Sequence, residues 1–252
     1  MPKRTEVDEL KLLGLLWRDS PASPRSGIST QSITALAVGL ADREGLDAVT
    51  IRRLAQEAGV TAMALYPHIG GRAELVELML DHVAGRTYEA ITIPDGPDWR
   101  ARVTAIAEAN WASCQAHPWI TDLATGRPVP GPGASRKYEI ELSALDRIGL
   151  TEIQMEHTLT ALLSLVQGTA RATIALHRSR EPGEEHDANW WAQIEPSLTS
   201  AIGDETRFPT ASRVSGILGE QTGKANDPEG AYRRGVGLFI DGIANQLNRP
   251  SA

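Results

Sequence analysis

One short stretch, TIRRLAQEAGVTAMALYPHIGGR at 50–72, constrains the fold of this chain more than any other. It contains two short helical patterns that meet at Gly59, and glycine readily adopts the left-handed backbone conformation that ends a helix. The second pattern reaches Pro67 and then a glycine pair, so that helix must kink or end between Tyr66 and Ile69. The stretch therefore predicts a tight corner between two helices, of which the second is very short.

Helical periodicity continues on both sides of this corner. A helix is predicted from about residue 30 to Gly45, and the next begins at Thr50 as its N-cap. Thr61 caps the short helix, and a further helix starts near Arg72. Three helices with a glycine turn between the second and the third form the helix-turn-helix layout.

The short helix leaves small and polar side chains on its outward face. Such groups can approach base edges and phosphates in the major groove of DNA. Two interpretations remain open, because helix-turn-helix corners also occur in proteins where they serve packing only. Tyr66 likewise either faces DNA or packs against the first helix, since its ring is apolar and its hydroxyl polar.

Charge and cysteine content narrow the class of protein. The net charge of −7 disfavours a general coating of nucleic acid, yet residues 48–72 carry Arg52, Arg53 and Arg72 against the single acid Glu57. Cys114 is the only cysteine, so the chain has no disulfide framework, which favours a reducing cytoplasm. No apolar run reaches the roughly 20 residues of a membrane span, so we expect no membrane partner.

Residues 30–76 resemble the DNA-binding domain of TetR-family transcriptional regulators. The resemblance is carried by ADREGLDAVT, IRRLAQEAGVT and LYPHI, followed by Arg72 and ELV. It implies double-stranded operator DNA as a partner and the DNA-binding residues Thr50, Arg52, Thr61, Ala62, Met63, Tyr66, His68 and Arg72. In this interpretation Thr61, Ala62 and Met63 face the major groove, and the others contact backbone phosphates.

Residues 95–175 resemble, more loosely, the ligand-binding domain of the tetracycline-repressor subgroup. The shared features are Trp99, AHPW, TGRP, LDRIGL and a long helix containing VQG. The resemblance implies a small-molecule effector. The tetracycline repressor chelates a drug-bound Mg²⁺ through a His just before the TGRP-type step, whereas ITDLATGRP has none. We therefore predict neither a metal nor a cofactor.

Two amides interrupt apolar helix faces in this region. Asn110 does so in the helix predicted over 99–116, and Gln167 in LLSLVQGTA. A bound ligand could pair with such an amide, or the amide could bond to a neighbouring backbone group or face solvent. Trp111 and Trp119 are equally compatible with a pocket wall and with a plain core. The predicted effector-binding residues are Ile106, Asn110, Trp111, Cys114, Leu123, Leu163 and Gln167.

Two long helices are predicted over 151–178 and 228–247, each with an apolar stripe. Such stripes could be buried within one subunit. The family resemblance instead implies that the two helices are half of a four-helix interface in a homodimer. On that basis the predicted interface residues are Leu159, Val166, Tyr232, Val236, Phe239, Ile240 and Ile243. Another helix is expected near 188–200, with polar loops on both sides.

The sequence as a whole predicts an all-α protein with an N-terminal extension (1–28), a helix-turn-helix domain (29–75) and a ligand-binding and dimerisation domain (76–252). GPGASRK lacks phosphate-loop spacing, and no Ser-His-Asp or paired-carboxylate arrangement can be located, so we do not expect an enzyme. The predicted function is a cytoplasmic repressor that a small molecule releases from its operator. The alternative is a helical ligand-binding protein or enzyme whose helix-turn-helix corner serves only packing.

Overall fold

The computed structural model describes residues 8–18, 28–123, 130–180, 188–203 and 207–248. These residues form helices, short 3-10 segments and turns without a strand, which confirms the all-α prediction. The helices are α1 (Glu9–Leu16), α2 (Thr30–Glu44), α3 (Ile51–Glu57), α4 (Ala62–Ile69), α5 (Arg72–Arg86), α6 (Trp99–Ala116), α7 (Pro132–Ser143), α8 (Glu152–Ser179), α9 (Ala188–Ile202), α10 (Pro209–Thr222) and α11 (Pro228–Leu247). Two 3-10 segments, Leu46–Ala48 and Pro118–Asp122, lie before α3 and after α6.

The predicted helix-turn-helix forms because each helix begins and ends at a residue suited to that position. Ser29 and Ser32 form a capping box at the start of α2, and Thr50 accepts a hydrogen bond from the Arg53 amide at the start of α3. Gly59 has a φ of 68°, which turns the chain from α3 towards α4. The α4 helix continues through Pro67 and ends at Ile69, within the predicted range.

The first hydrophobic core joins α1 to α5 and extends beyond the predicted domain boundaries. Leu12 and Leu15 of α1 are buried in it, and so are Leu75 and Met79 of α5. The extension therefore contributes a helix to this core, although most of the Pro/Ser/Gly-rich stretch 19–28 lies outside the described residues. The predicted boundary after residue 75 falls inside α5, whose apolar side chains enter the same core up to Val83.

The second hydrophobic core lies between α6, α8 and α11. Ile106 of α6, Leu162 of α8 and Val236 of α11 are buried there. The α8 helix is long and apolar enough to cross a membrane, with a mean hydropathy of 1.3 in its most apolar window. One face of α8 packs in this core, as expected for a core helix of a globular protein, where the hydrophobic face is covered by other helices.

Neither α7 nor α10 was predicted from the sequence. The α7 helix begins at Pro132, where proline suits the first turn of a helix, and α10 begins at Pro209 in the same way. The expected helix near 188–200 is present as α9, and the polar loop expected after it ends at Pro209, where α10 begins. Both α9 and α10 expose large apolar side chains, among them Trp190 and Val214.

Candidate functional site

The inner face of α4 is fixed in the first core. Leu65 and Ile69 are fully buried, and the Thr30 hydroxyl of α2 donates a 2.9 Å hydrogen bond to the carbonyl of His68. Because its inner face is fixed in this way, α4 presents its opposite face to solvent in one defined orientation.

The outer face of α4 carries most of the side chains that the sequence predicted there. Met63 exposes 75% of its surface and Tyr66 44%. Thr61 begins the helix without a side-chain capping bond. Ala62 and His68 are the exceptions, because both are half-buried, and Ala62 packs partly against the first core. The structure therefore brings Thr61, Met63 and Tyr66 together on one surface.

Two neighbouring arginines at the start of α3 have different surroundings. Arg53 forms ion pairs with Glu44 at 3.2 Å and with Glu57 at 3.1 Å. Arg52 is exposed and has no hydrogen-bond or ion-pair partner within the described parts of the chain. Its guanidinium can therefore bind an external anion without first breaking an internal contact.

Arg72 holds the loop that precedes α3. Its Nε donates to the carbonyl of Val49 and its terminal nitrogen to that of Leu46, both at 3.2 Å. The predicted role was phosphate binding. The structure adds a positioning role, because these bonds fix the loop that leads to Thr50. The Thr50 hydroxyl already accepts from the Arg53 amide at 3.2 Å.

A buried polar cluster, which we call the Glu141 cluster, lies between the end of α5, α6 and α7. One carboxylate oxygen of Glu141 accepts from the Tyr88 hydroxyl at 2.7 Å and from the Asn110 amide at 2.9 Å. The Lys137 ammonium, one helical turn away on α7, also donates to it. The Asn110 amide also donates to the Ile106 carbonyl at 3.0 Å, so it has partners inside the protein, including the neighbouring backbone group that was the alternative to a ligand.

Burial governs the ionisation of two groups at this cluster. It raises the pKa of the Tyr88 hydroxyl, and the adjacent Glu141 carboxylate raises it further, so the hydroxyl remains a donor at neutral pH. Burial also raises the pKa of the Cys114 thiol to about 11, against an opposing effect of the Lys137 ammonium. The Cys114 thiol is therefore neutral at physiological pH.

The remaining predicted effector residues lie mainly at the second core. Ile106 is fully buried, Trp111 stacks on Tyr232 of α11 with ring centroids 4.0 Å apart, and Leu163 and Gln167 are half-buried. Sequence reasoning missed Gln115, whose amide nitrogen is buried without a partner among the described residues. An unpaired buried amide costs about 1–3 kcal/mol, so it marks a place where a ligand acceptor would be favourable.

Leu123 and Trp119 belong to the first core. Leu123 is partly buried against that core, and Trp119 is buried in it, which resolves Trp119 as a core residue. The Trp119 indole and the His117 ring both bond to one oxygen of Asp42 on α2, at 2.7 and 2.8 Å. This Asp42 joint connects the segment after α6 to the helix-turn-helix domain.

Most of the predicted dimer-interface residues are buried within a single chain. Leu159, Val166, Tyr232, Val236 and Ile243 are each at most 8% exposed. A side chain already covered by its own subunit cannot also cover a partner, so their assignment to the interface is corrected. Phe239 and Ile240 pack partly against the second core and remain half-exposed.

A cleft of about 550 Å³ lies elsewhere, between the start of α6 and the turn after α7. It is open, and its walls include Trp99, Arg102 and Arg147. None of the predicted effector residues lines it. Among the described residues, no group of three His, Cys, Asp or Glu side chains is arranged to hold a metal ion.

Comparisons with known proteins agree with this two-part architecture. A family model described as bacterial regulatory proteins, tetR family, matches residues 33–79, and one described as tetracyclin repressor-like, C-terminal domain, matches residues 93–247. The HTH-type transcriptional repressor DrrR1 of Streptomyces coeruleorubidus is 30% identical over 211 residues, which are 82% of this chain and 77% of that protein. The Tetracycline repressor protein class C of Escherichia coli is 23% identical over 216 residues, 86% and 90% of the two chains.

Solved structures give the same result. The crystal structure of the Streptomyces coelicolor TetR family protein ActR in complex with actinorhodin superposes with a TM-score of 0.69 at 25% identity, covering 88% of this chain and 99% of that one. Because both family models and a relative of this similarity match nearly the whole described architecture, the chain belongs to the TetR family of transcriptional regulators.

Proposed function

We propose that the protein is a cytoplasmic repressor that binds operator DNA as a homodimer and is released by a small-molecule effector. The observation that carries this proposal is the outer face of α4. Leu65 and Ile69 anchor the helix, while Met63 and Tyr66 are left exposed, as is Arg52 at the start of α3. Large apolar and aromatic side chains held in solvent gain nothing for the fold, which argues against a corner that serves only packing.

Each exposed group on this surface suits one kind of DNA contact. Met63 can contact a thymine methyl in the major groove but cannot donate a hydrogen bond, so direct hydrogen-bonded reading of bases should be sparse. Arg52 and the Tyr66 hydroxyl suit phosphate oxygens, which set affinity and register rather than sequence preference. Shape and deformability of the operator should therefore contribute much of its specificity.

The test compares Arg52→Ala with Arg53→Ala on a duplex selected from random sequences by the wild-type protein. Replacing the unpaired Arg52 should weaken binding to all duplexes, and it should reduce the slope of log affinity against log salt by about 0.9 per lost phosphate contact. Arg53 is already paired with Glu44 and Glu57, so its loss should leave the slope unchanged. Equal salt slopes for both variants would contradict the proposed docking, and failure to select any duplex would favour a ligand-binding protein that does not bind DNA.

The homodimer is proposed through the exposed faces of α8 and α11. Ala161, Ser164 and Gly168 recur at helical spacing on the solvent face of α8, and Leu238 is 53% exposed on α11. A Cβ added at Gly168 would meet no atom of the chain within 4 Å, so this surface is open to a partner helix. Two recognition helices in such a dimer should contact successive major grooves, about 34–36 Å apart.

The effector site is proposed at α6 and α8, around Ile106, Trp111, Leu163 and Gln167, with the unpaired amide of Gln115 as a polar contact. Apolar walls with few polar groups are typical of small-molecule sites. The crystal structure of ActR with actinorhodin supports a small-molecule effector for a chain of this fold.

Calorimetry with a ligand found by thermal-shift screening tests this site. Gln115→Leu removes the unpaired amide, so it should preserve the stability of the free protein and weaken ligand binding. Loss of one hydrogen bond to a buried group corresponds to about 1 kcal/mol or more, roughly a fivefold change in dissociation constant. Arg147→Ala alters the separate cleft and is the matched control. If Arg147→Ala weakens ligand binding and Gln115→Leu does not, the effector site is in that cleft instead.

A further inference from the structure

The second half of α5 is held by α7 at its first turn. The Asp81 carboxylate of α5 accepts from the backbone amides of Gly133 at 3.1 Å and Ala134 at 2.8 Å. These amides belong to the first turn of α7, where helix amides have no partner within their own helix. Asp81 therefore ties α5 to the beginning of α7.

The two backbones also touch directly beside this contact. A Cβ added at Gly133 would overlap the carbonyl oxygen of Asp81 and would lie 2.9 Å from the backbone nitrogen of Gly85. Only a glycine permits so close an approach of α7 to α5. Asp81 and the Gly85–Gly133 contact thus form a fixed point between the helices, which we call the α5–α7 pivot.

A second attachment lies near the other end of α7. Glu141 sits two turns beyond the pivot and accepts from Tyr88, just after the end of α5, and from Asn110 of α6. The α5 helix packs mainly against α2 and α7, whereas α6 packs mainly against α8 and the segment after it. The Asn110 amide also donates directly to the Tyr88 hydroxyl at 3.1 Å. Since α5 and α6 share little direct packing, these bonds among Tyr88, Asn110 and Glu141 are a principal link between the two helices.

We propose that Tyr88 and Glu141 are positioning residues through which the effector state of α6 reaches α5 and hence the recognition helices. This inference rests on the proposed function, because it presumes DNA binding coupled to an effector. The α5–α7 pivot fixes the start of α7, and the Tyr88–Glu141 bond fixes α7 two turns further along. A displacement of α6 then moves the far end of α5 through Asn110 and Tyr88, which bond to each other and to the same Glu141 oxygen.

Linkage makes this route testable with DNA alone, since a coupling between two sites acts in both directions. Binding of the selected duplex to the full-length protein should slow amide hydrogen exchange along all of α7 and in α6 around Asn110. In Tyr88→Phe the ring remains, and Asn110 and Lys137 still bond to Glu141, so the fold should persist. The DNA-induced slowing should then remain at Gly133 and Ala134 and disappear near Glu141 and in α6.

Tyr138→Phe is the matched control, because it removes a phenolic hydroxyl from α7 that is outside the cluster and 47% exposed. On DNA binding, its amide hydrogen exchange should slow in α6 and α7 as it does in the wild type. Comparing exchange with and without duplex separates coupling from a general loss of stability, which would raise exchange in both states. Thermal melts of both variants check that each is folded.

The outcomes distinguish this inference from the proposed function. If Tyr88→Phe keeps the full response in α6, transmission runs through another connection such as the Asp42 joint, and the inference is overturned. The inference is also overturned if the wild type binds the duplex without any change in amide hydrogen exchange in α6 or α7. If the wild type binds no selected duplex in a gel shift, the proposed function itself fails and the inference falls with it.

Discussion

Replacing Gly133 by alanine should destabilise the protein strongly, because α5 and α7 touch at this residue. The new Cβ would lie 3.0 Å from the carbonyl carbon of Asp81 and 2.9 Å from the backbone nitrogen of Gly85. Both are backbone atoms, so no rotamer change can move them away. Overpacking of this kind typically costs about 1–3 kcal/mol. Separating the helices would also stretch the two hydrogen bonds to the Asp81 carboxylate, and bonds to charged groups contribute about 1.5–3 kcal/mol each.

These two effects share one contact and are not additive, so we expect a loss of about 3 kcal/mol in the free energy of unfolding. For a chain of this size that corresponds to a decrease in melting temperature of roughly 6–12 °C. The assay is urea and thermal unfolding followed by circular dichroism, at one fixed protomer concentration because a dimer melts in a concentration-dependent way.

The control is Gly14→Ala in α1, where an added Cβ meets no atom within 4 Å. Alanine there should stabilise the helix by up to about 1 kcal/mol. If Gly133→Ala unfolds within about 0.5 kcal/mol of the wild type, the typical range of a surface substitution, then α5 and α7 are not in the close contact described.

Three further predictions follow from the recognition helix, the proposed interface and a half-buried histidine. Met63→Ala should change the sequences selected from a random duplex pool more than it changes overall affinity, because the side chain is positioned for apolar contact with bases. Leu238→Glu should yield monomers in analytical ultracentrifugation, whereas Val214→Glu, equally exposed on α10, should leave the dimer intact. Burial, and then the Arg86 charge, hold the pKa of His82 below 6.5, so the unfolded chain binds more protons just below that pH. The urea midpoint should therefore fall as the pH drops through 6.5 towards the lower folded pKa, and His82→Asn should flatten that fall.

Local sequence signals predicted the elements that depend on local chemistry. The cap at Thr50, the glycine turn at Gly59 and the apolar periodicity located the helices of the DNA-binding domain and the long helices α8 and α11. Fold class follows from the same signals, since apolar spacing of three and four residues recurs along the chain.

Contacts between distant parts of the chain were beyond such signals. Tyr88 and Asn110 lie 53 and 31 residues from Glu141, and no periodicity relates them. Only the Lys137–Glu141 spacing of one helical turn could have indicated a pair. The apolar stripes of α8 and α11 were recognised, but a stripe indicates only that a face is buried. It does not indicate whether the surface that covers this face belongs to the same subunit or to a partner. For Leu159 and Val166 the covering surface belongs to the same subunit.

The Asp42 joint has a consequence for building chimeric regulators from this family. Exchange of the DNA-binding helices alone, cut between α5 and α6, would leave Trp119 and His117 behind without the carboxylate that accepts their hydrogen bonds. The transplanted core would lose the indole that fills it, since Trp119 is buried among α1 to α5. A functional graft would have to carry the Pro118–Asp122 segment together with the helices, so the transferable unit is discontinuous in the chain.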